Sequence, residues 1–165
     1  MNFESQKYNW YALRTLPHKE KYVLNELDYR NFESYLPCYK FYFDKNKFKE
    51  KLLITSYIFV RVSIKDFEKL RFIPGSKGIL YYDSKPGIIT DDEIEILRLI
   101  CGQSELQPEI SDLKPGQKVK ILNSFLKGRI AHVCECKKDK IGIEFFESRF
   151  TIWISSKSFV YEILK

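Results

Sequence analysis

Three groups of residues in this 165-residue sequence have types and spacings that could do chemistry. His132-x-Cys134-x-Cys136 sets three donors at intervals of two, which on a strand share one face and could hold a metal ion. The usual CxxC spacing is missing and no fourth ligand is evident, so strand residues of a small core are the stronger reading and no metal is expected. Gly75-Ser76-Lys77-Gly78 has the GxxG spacing of an RNA-clamping loop, but four residues match by chance often and a plain turn outweighs it. The third group is the richest. Lys40, Lys45, Lys47, Lys49 and Lys51 interleave with Phe41, Tyr42, Phe43 and Phe48. Basic residues among aromatics suit a phosphate backbone with stacked bases, against the plainer reading of a charged loop tip. An enzyme is not expected: the two histidines have no evident nucleophile or acid partner, no phosphate loop is present, and no cofactor is implied.

Composition bounds the setting. The length suits one domain or two small ones, and 44% apolar with 16% aromatic residues can build ordinary cores. No basic start followed by an apolar run marks a signal peptide, and no apolar stretch is long enough to span a membrane. Four cysteines are too sparse for a disulfide framework, so a cytoplasmic protein with reduced thiols is expected. The net charge of +6 falls largely on residues 113–165. That favours nucleic acid or an acidic protein surface as a partner.

These groups need elements to position them, and the alternation in Thr55-Ser56-Tyr57-Ile58-Phe59-Val60-Arg61-Val62 supplies the central one. It reads as a strand. Ile58, Val60 and Val62 take the core face; Tyr57, Phe59 and Arg61 take the other, which reads as an open platform for a partner. The alternative is that another part of the chain covers those rings. Residues 8–14 form a first strand with Trp10, Ala12 and Arg14 on one face. Thr15 is positioned to cap a helix running to about Arg30, with Pro17 in its first turn. His18, Lys19 and Lys21 cluster at that helix's beginning, where cations oppose its dipole. Residues 33–43 read as extended, leading into a hairpin with its tip at Asp44–Lys47. A short helix follows at 64–71 with Phe67 and Leu70 facing in, then a strand at 78–82. Thr90 and Glu93 form a capping box for a helix whose stripe is Ile94, Leu97 and Ile100. Residues 102–112 are a polar linker. The remainder alternates as five short strands, which suggests a small barrel.

Taken together, Asn9-Trp10-Tyr11-Ala12-Leu13, Leu36-Pro37, Ser56-Tyr57-Ile58-Phe59-Val60 and Gly78-Ile79-Leu80 resemble the N-terminal (NGN) domain of NusG-type transcription factors. Lys114-Pro115-Gly116-Gln117-Lys118-Val119-Lys120-Ile121 and Phe125-Leu126-Lys127-Gly128-Arg129-Ile130 look like that family's KOW motif. The likeness is greatest to the specialised paralogues of polysaccharide loci in Bacteroidetes (UpxY-like), and more distant to RfaH. It departs at Thr55-Ser56, where relatives commonly have Pro-Gly, at Arg14, and at Phe125-Leu126. The implied fold is α+β: an NGN-like antiparallel sheet flanked by helices over 1–101, the linker 102–112, and an SH3-like KOW barrel over 113–165.

The resemblance implies an elongation or antitermination factor that bridges the cleft of RNA polymerase and suppresses pausing and termination. Trp10, Ala12, Arg14, Tyr57 and Phe59 would sit on the clamp helices. Phe67, Glu68, Lys69 and Arg71 would face the opposite side of the cleft. His18, Lys19 and Lys21 fall where RfaH reads non-template DNA, and Lys45, Lys47 and Lys49 on the hairpin would meet DNA or nascent RNA. Phe145, Phe146 and Arg149 lie near the family's contact for a ribosomal protein or Rho. The rival reading is an RNA-binding module with an RRM-like sheet, since Tyr57-Ile58-Phe59-Val60 is close to that fold's central strand, although the preceding Lys-Gly is absent.

Overall fold

The computed structural model describes residues 7–102, 113–122, 128–137, 140–145, 151–155 and 161–164. In chain order the elements are β1 (Asn9–Thr15), α1 (Glu20–Tyr29), β2 (Glu33–Tyr35), β3 (Cys38–Asp44), β4 (Lys47–Leu52) and β5 (Tyr57–Val62). A 3-10 turn (Ile64–Asp66) leads into α2 (Phe67–Arg71), followed by β6 (Ser76–Ile79), β7 (Tyr81–Tyr82), β8 (Lys85–Pro86), β9 (Ile88–Ile89) and α3 (Asp91–Cys101). The chain closes with β10 (Lys118–Ile121), β11 (Ile130–Lys137), β12 (Lys140–Phe145), β13 (Ile152–Ser155) and β14 (Tyr161–Leu164). It divides into two units: Met1–Pro37 with Ile54–Ile94, and Cys38–Leu53 with Glu95–Lys165.

The first unit is built on an antiparallel sheet in the order β2-β5-β1-β6, with β9 also pairing β1. Register sets its faces, because residues directly opposite each other in a ladder point the same way. Tyr11 and Leu13 lie across from Val60 and Ile58, while Ala12 and Arg14 lie across from Phe59 and Tyr57. On the first of these faces Phe67 of α2 meets Tyr11 edge-on, with ring centroids 4.8 Å apart.

Local chemistry explains where the elements begin and end. The helix expected to be capped by Thr15 instead begins at Glu20. Thr15 stays in β1, where its N–H donates to the Ser56 carbonyl at 2.9 Å. His18, at φ +64°, lies in the left-handed region that interrupts a right-handed helix. The strand expected over 78–82 is two strands. β6 stays beside β1, while β7 turns through Asp83 and Ser84, at φ +45° and +64°, to pair with β8; positive φ at both central residues is the mark of a tight hairpin turn. Of the two glycines of Gly75-Ser76-Lys77-Gly78, Gly75 is a turn residue, at φ +87°, where a Cβ would come within 3.2 Å of the Lys19 and Val23 side chains, whereas Gly78 lies in β6 opposite Arg14, at φ +81°. The capping box forms as the sequence predicts. Thr90 N–H donates to Glu93 Oε2 at 2.8 Å, and Glu93 N–H donates to Thr90 Oγ1 at 3.2 Å.

In the second unit, β3 and β4 form the expected hairpin, with Asp44 opposite Lys47 at its tip. A separate antiparallel sheet runs β13-β12-β11-β10-β14. Val119, Ile121, Ala131, Val133, Ile141 and Ile143 are its buried residues. The expected barrel is not closed among the described residues, because the end strands β13 and β14 do not pair. Phe145 ends β12, opposite Ala131; Phe146 and Arg149 lie outside the described residues.

Candidate functional site

The face read as an open platform is largely closed. Phe59 is fully buried, and Trp10 and Ala12 retain only 3% and 1% of their exposure. The reason lies at β9. That short strand pairs Ile89 with Trp10, which returns the chain to the side of β1 and sets the head of α3 beside the indole. Trp10 Nε1–H then donates to Asp91 Oδ1 at 3.0 Å. The first turn of α3 therefore lies on the same face as Phe59. Of the five residues expected to form the platform, Arg14 is exposed and Tyr57 half-buried. They are direct cross-strand neighbours, so an accessible corner of this face has Arg14 opposite Tyr57, while Arg61, on the same face, is half-buried and paired with Glu33 at 3.8 Å.

That corner is held from below. Ser56, just before Tyr57, adopts φ +65°. Its N–H donates to Glu20 Oε1 at 2.8 Å, and Glu20 is itself buried. A carboxylate accepting a backbone N–H is a charge-assisted bond, and it fixes the loop from which Tyr57 emerges. Sequence reading missed Glu20, because an acidic residue in a first helical turn looks like ordinary dipole complementation.

The segment expected to face the other side of the cleft is anchored by Asp66. Its carboxylate accepts from Lys69 Nζ at 2.8 Å and from Ser63 Oγ at 3.0 Å. The Lys69 ammonium beside it holds the Asp66 carboxyl below its ordinary range. Glu68, Lys69 and Arg71 are exposed, whereas Phe67 is half-buried between Tyr11 and Tyr81, whose ring lies 6.5 Å away. His18, Lys19 and Lys21 are all exposed on or before the first turn of α1, with Lys19 Nζ 5.8 Å from the Tyr22 ring.

On the hairpin, Lys45, Lys47 and Lys49 are exposed together with Phe41, Tyr42, Phe43 and Phe48. The expectation that His132, Cys134 and Cys136 share a face is overturned. A bulge between Val133 and Glu135 shifts the register, which puts Cys136 opposite buried Ile141 while His132 stays exposed. Cys136 Sγ–H donates to the Leu113 carbonyl at 3.0 Å. Burial and the nearby Glu144 carboxylate push the Cys134 thiol up to about 11, opposite to what a thiolate ligand or nucleophile needs.

The family model described as transcription termination factor NusG matches residues 8–98. That is more than half of the chain and takes in the whole β1–β5 corner. The chain belongs to the NusG family. Among solved structures, one described as domain interaction in Thermotoga maritima NusG is similar with a TM-score of 0.56 and 15% identity, covering 90% of this chain and 94% of that one. At that identity the likeness is one of fold. The MjSpt4:Spt5 complex in conformation A matches with a TM-score of 0.33 and 20% identity, over 94% of this chain and 97% of that one. No curated protein sequence matches. The NusG family is one of transcription factors rather than enzymes. Among the described residues, no helix is long and apolar enough to cross a membrane.

Proposed function

We propose that this NusG-family chain is a transcription elongation and antitermination factor that binds RNA polymerase across its cleft and suppresses pausing and termination. It acts at specific operons of the surface-polysaccharide type, in the manner of the UpxY-like paralogues. The observation that carries the reading is the family match over residues 8–98, the stretch that builds the Arg14–Tyr57 corner. Arg14 and Tyr57 make the clamp-helix contact, and Trp10, Ala12 and Phe59 form the rigid frame beneath it. Glu68, Lys69 and Arg71, with the edge of Phe67, meet the opposite side of the cleft. His18, Lys19 and Lys21 touch non-template DNA, and the hairpin lysines meet DNA or nascent RNA. Residues 113–165 act as a KOW-like domain that recruits a ribosomal protein or Rho through the region of Phe145, Phe146 and Arg149. Residues 1–101 form the polymerase-binding domain, and 102–112 the linker.

Physical scale supports a contact of this kind. A half-buried tyrosine and an arginine are the side chains that most often dominate an interface, and holding a cleft closed needs adhesion, not bond chemistry. The RRM-like alternative loses its stacking ring, because Phe59 is fully buried and cannot lie flat against a base.

The test is transcription in vitro with the cognate polymerase on a template carrying a pause and a terminator. Arg14→Glu combined with Tyr57→Ala is expected to bring read-through close to the level without factor, while the thermal melt stays within a few degrees of wild type. Read-through equal to wild type would refute the assignment of this corner.

A further inference from the structure

The β3–β4 hairpin is a two-stranded ribbon whose aromatic rings are outside. Phe41, Tyr42, Phe43 and Phe48 are 43%, 42%, 55% and 45% exposed. Apolar rings of this size are ordinarily buried, and here they alternate with ammonium groups instead. Lys51 Nζ lies 3.6 Å from the Phe41 centroid, Lys40 Nζ 4.6 Å from that of Phe48, and Lys49 Nζ 5.8 Å from that of Phe43. The register accounts for the pairing. Phe41 is opposite Lys49 and Tyr39 is opposite Lys51, so Phe41, Lys49 and Lys51 share one face; Phe43 sits in a bulge between Tyr42 and Asp44, and its side is given by the Lys49 ammonium over its ring. Lys40, Tyr42 and Phe48 share the other, with the Tyr42 and Phe48 rings 5.6 Å apart. Cys38–Leu52 carries five lysines against Asp44 and Glu50, a net +3.

We propose that this ribbon binds unpaired nucleic acid, its phenyl and phenol rings stacking on exposed bases while the lysines beside them neutralise the neighbouring phosphates. The proposal rests on the reading of the hairpin lysines as nucleic-acid contacts and adds the class of substrate, a single strand rather than a duplex. In a duplex the π-faces of the bases are already stacked on one another, and the rings gain nothing there. The lysines are attracted to either form. The rings therefore supply the discrimination and the lysines the salt-dependent affinity. Charge complementarity argues for a polyanion, and exposed rings on both faces of the ribbon argue that the polyanion also offers flat apolar surfaces.

The test uses the full chain and fluorescence anisotropy with a labelled 12-nucleotide single-stranded DNA, the matching RNA, and the corresponding DNA duplex over a salt series. The single strands are expected to bind more tightly than the duplex. Phe43→Ala with Phe48→Ala is expected to weaken single-strand binding about 25-fold or more, from about fivefold per stacked base, and to leave duplex binding unchanged. Phe43→Leu with Phe48→Leu, which keeps apolar bulk on the ribbon, is expected to lose as much. Lys45→Gln, Lys47→Gln and Lys49→Gln together are expected to weaken both forms and lower the single-strand salt slope by about 2. Single-strand binding untouched by the ring variants, rescued by leucine, or no tighter than duplex binding would overturn stacking while leaving the lysine contact standing. No binding to any oligonucleotide, or binding only to anionic vesicles run in parallel, would overturn both. The relative affinity for the DNA and RNA strands identifies which one the ribbon takes.

Discussion

Phe59→Ala is expected to lower the stability of the first unit by about 3–5 kcal/mol, the usual cost of emptying a fully buried phenylalanine site. Phe59 has no exposure and stands in β5 between Ala12 of β1 and Tyr35 of β2. Neither neighbour can collapse into the hole without bending the ladder. A domain with about 5–15 kcal/mol of total stability loses a large part of it. Urea unfolding of the full chain followed by circular dichroism measures the change. Phe59→Leu, which refills most of the volume, is expected to cost under about 1.5 kcal/mol. A wild-type midpoint for Phe59→Ala would mean that the ring faces solvent in solution. The same result sets a rule for functional experiments. Loss of polymerase binding in Phe59→Ala reports unfolding, and Arg14 and Tyr57 are the positions whose loss reports the contact.

The second large effect belongs to the C-terminal sheet. Gly142 lies in β12 between Glu135 of β11 and Trp153 of β13. A Cβ there would come within 2.6 Å of Thr151 Cγ2 and 3.4 Å of the Trp153 ring. Thr151 is β-branched and stiff at χ1, so its methyl cannot swing aside cheaply. Gly142→Leu is expected to cost about 1–3 kcal/mol by overpacking, read as a lowered thermal midpoint. Gly142→Ala shows the direction of the effect with less bulk. An unchanged midpoint for the leucine variant would show that β12 and β13 separate freely at this point.

The strands that matter most were legible in the sequence. The alternation in residues 55–62 placed β5 and its two faces, the lysine-rich turn placed the hairpin, and Thr90 with Glu93 placed the start of α3. What alternation cannot say is which face stays open. Period two separates two sets of side chains, but what covers each set is decided by elements far along the chain. Here the deciding element is β9, only two residues long, which returns the chain to Trp10. The bulge at Cys134 was illegible for a related reason: one extra residue inverts every face after it, and nothing in His-x-Cys-x-Cys marks it. Glu20 was hidden because its partner is a backbone N–H 36 residues away, a bond no local pattern encodes. Alternation puts Trp10, Ala12, Arg14, Tyr57 and Phe59 on one face and reads all five as a platform for a partner, whereas Trp10, Ala12 and Phe59 belong to the core.

The most direct measurement is photo-crosslinking to purified cognate RNA polymerase from full-length protein carrying benzoylphenylalanine at Tyr57. Its companion carries the same group at Tyr29, an 85% exposed ring on α1. A crosslink to a large polymerase subunit is expected from position 57 and none from position 29. Crosslinking from 29 with silence at 57, in protein that melts like wild type, would contradict the Arg14–Tyr57 contact.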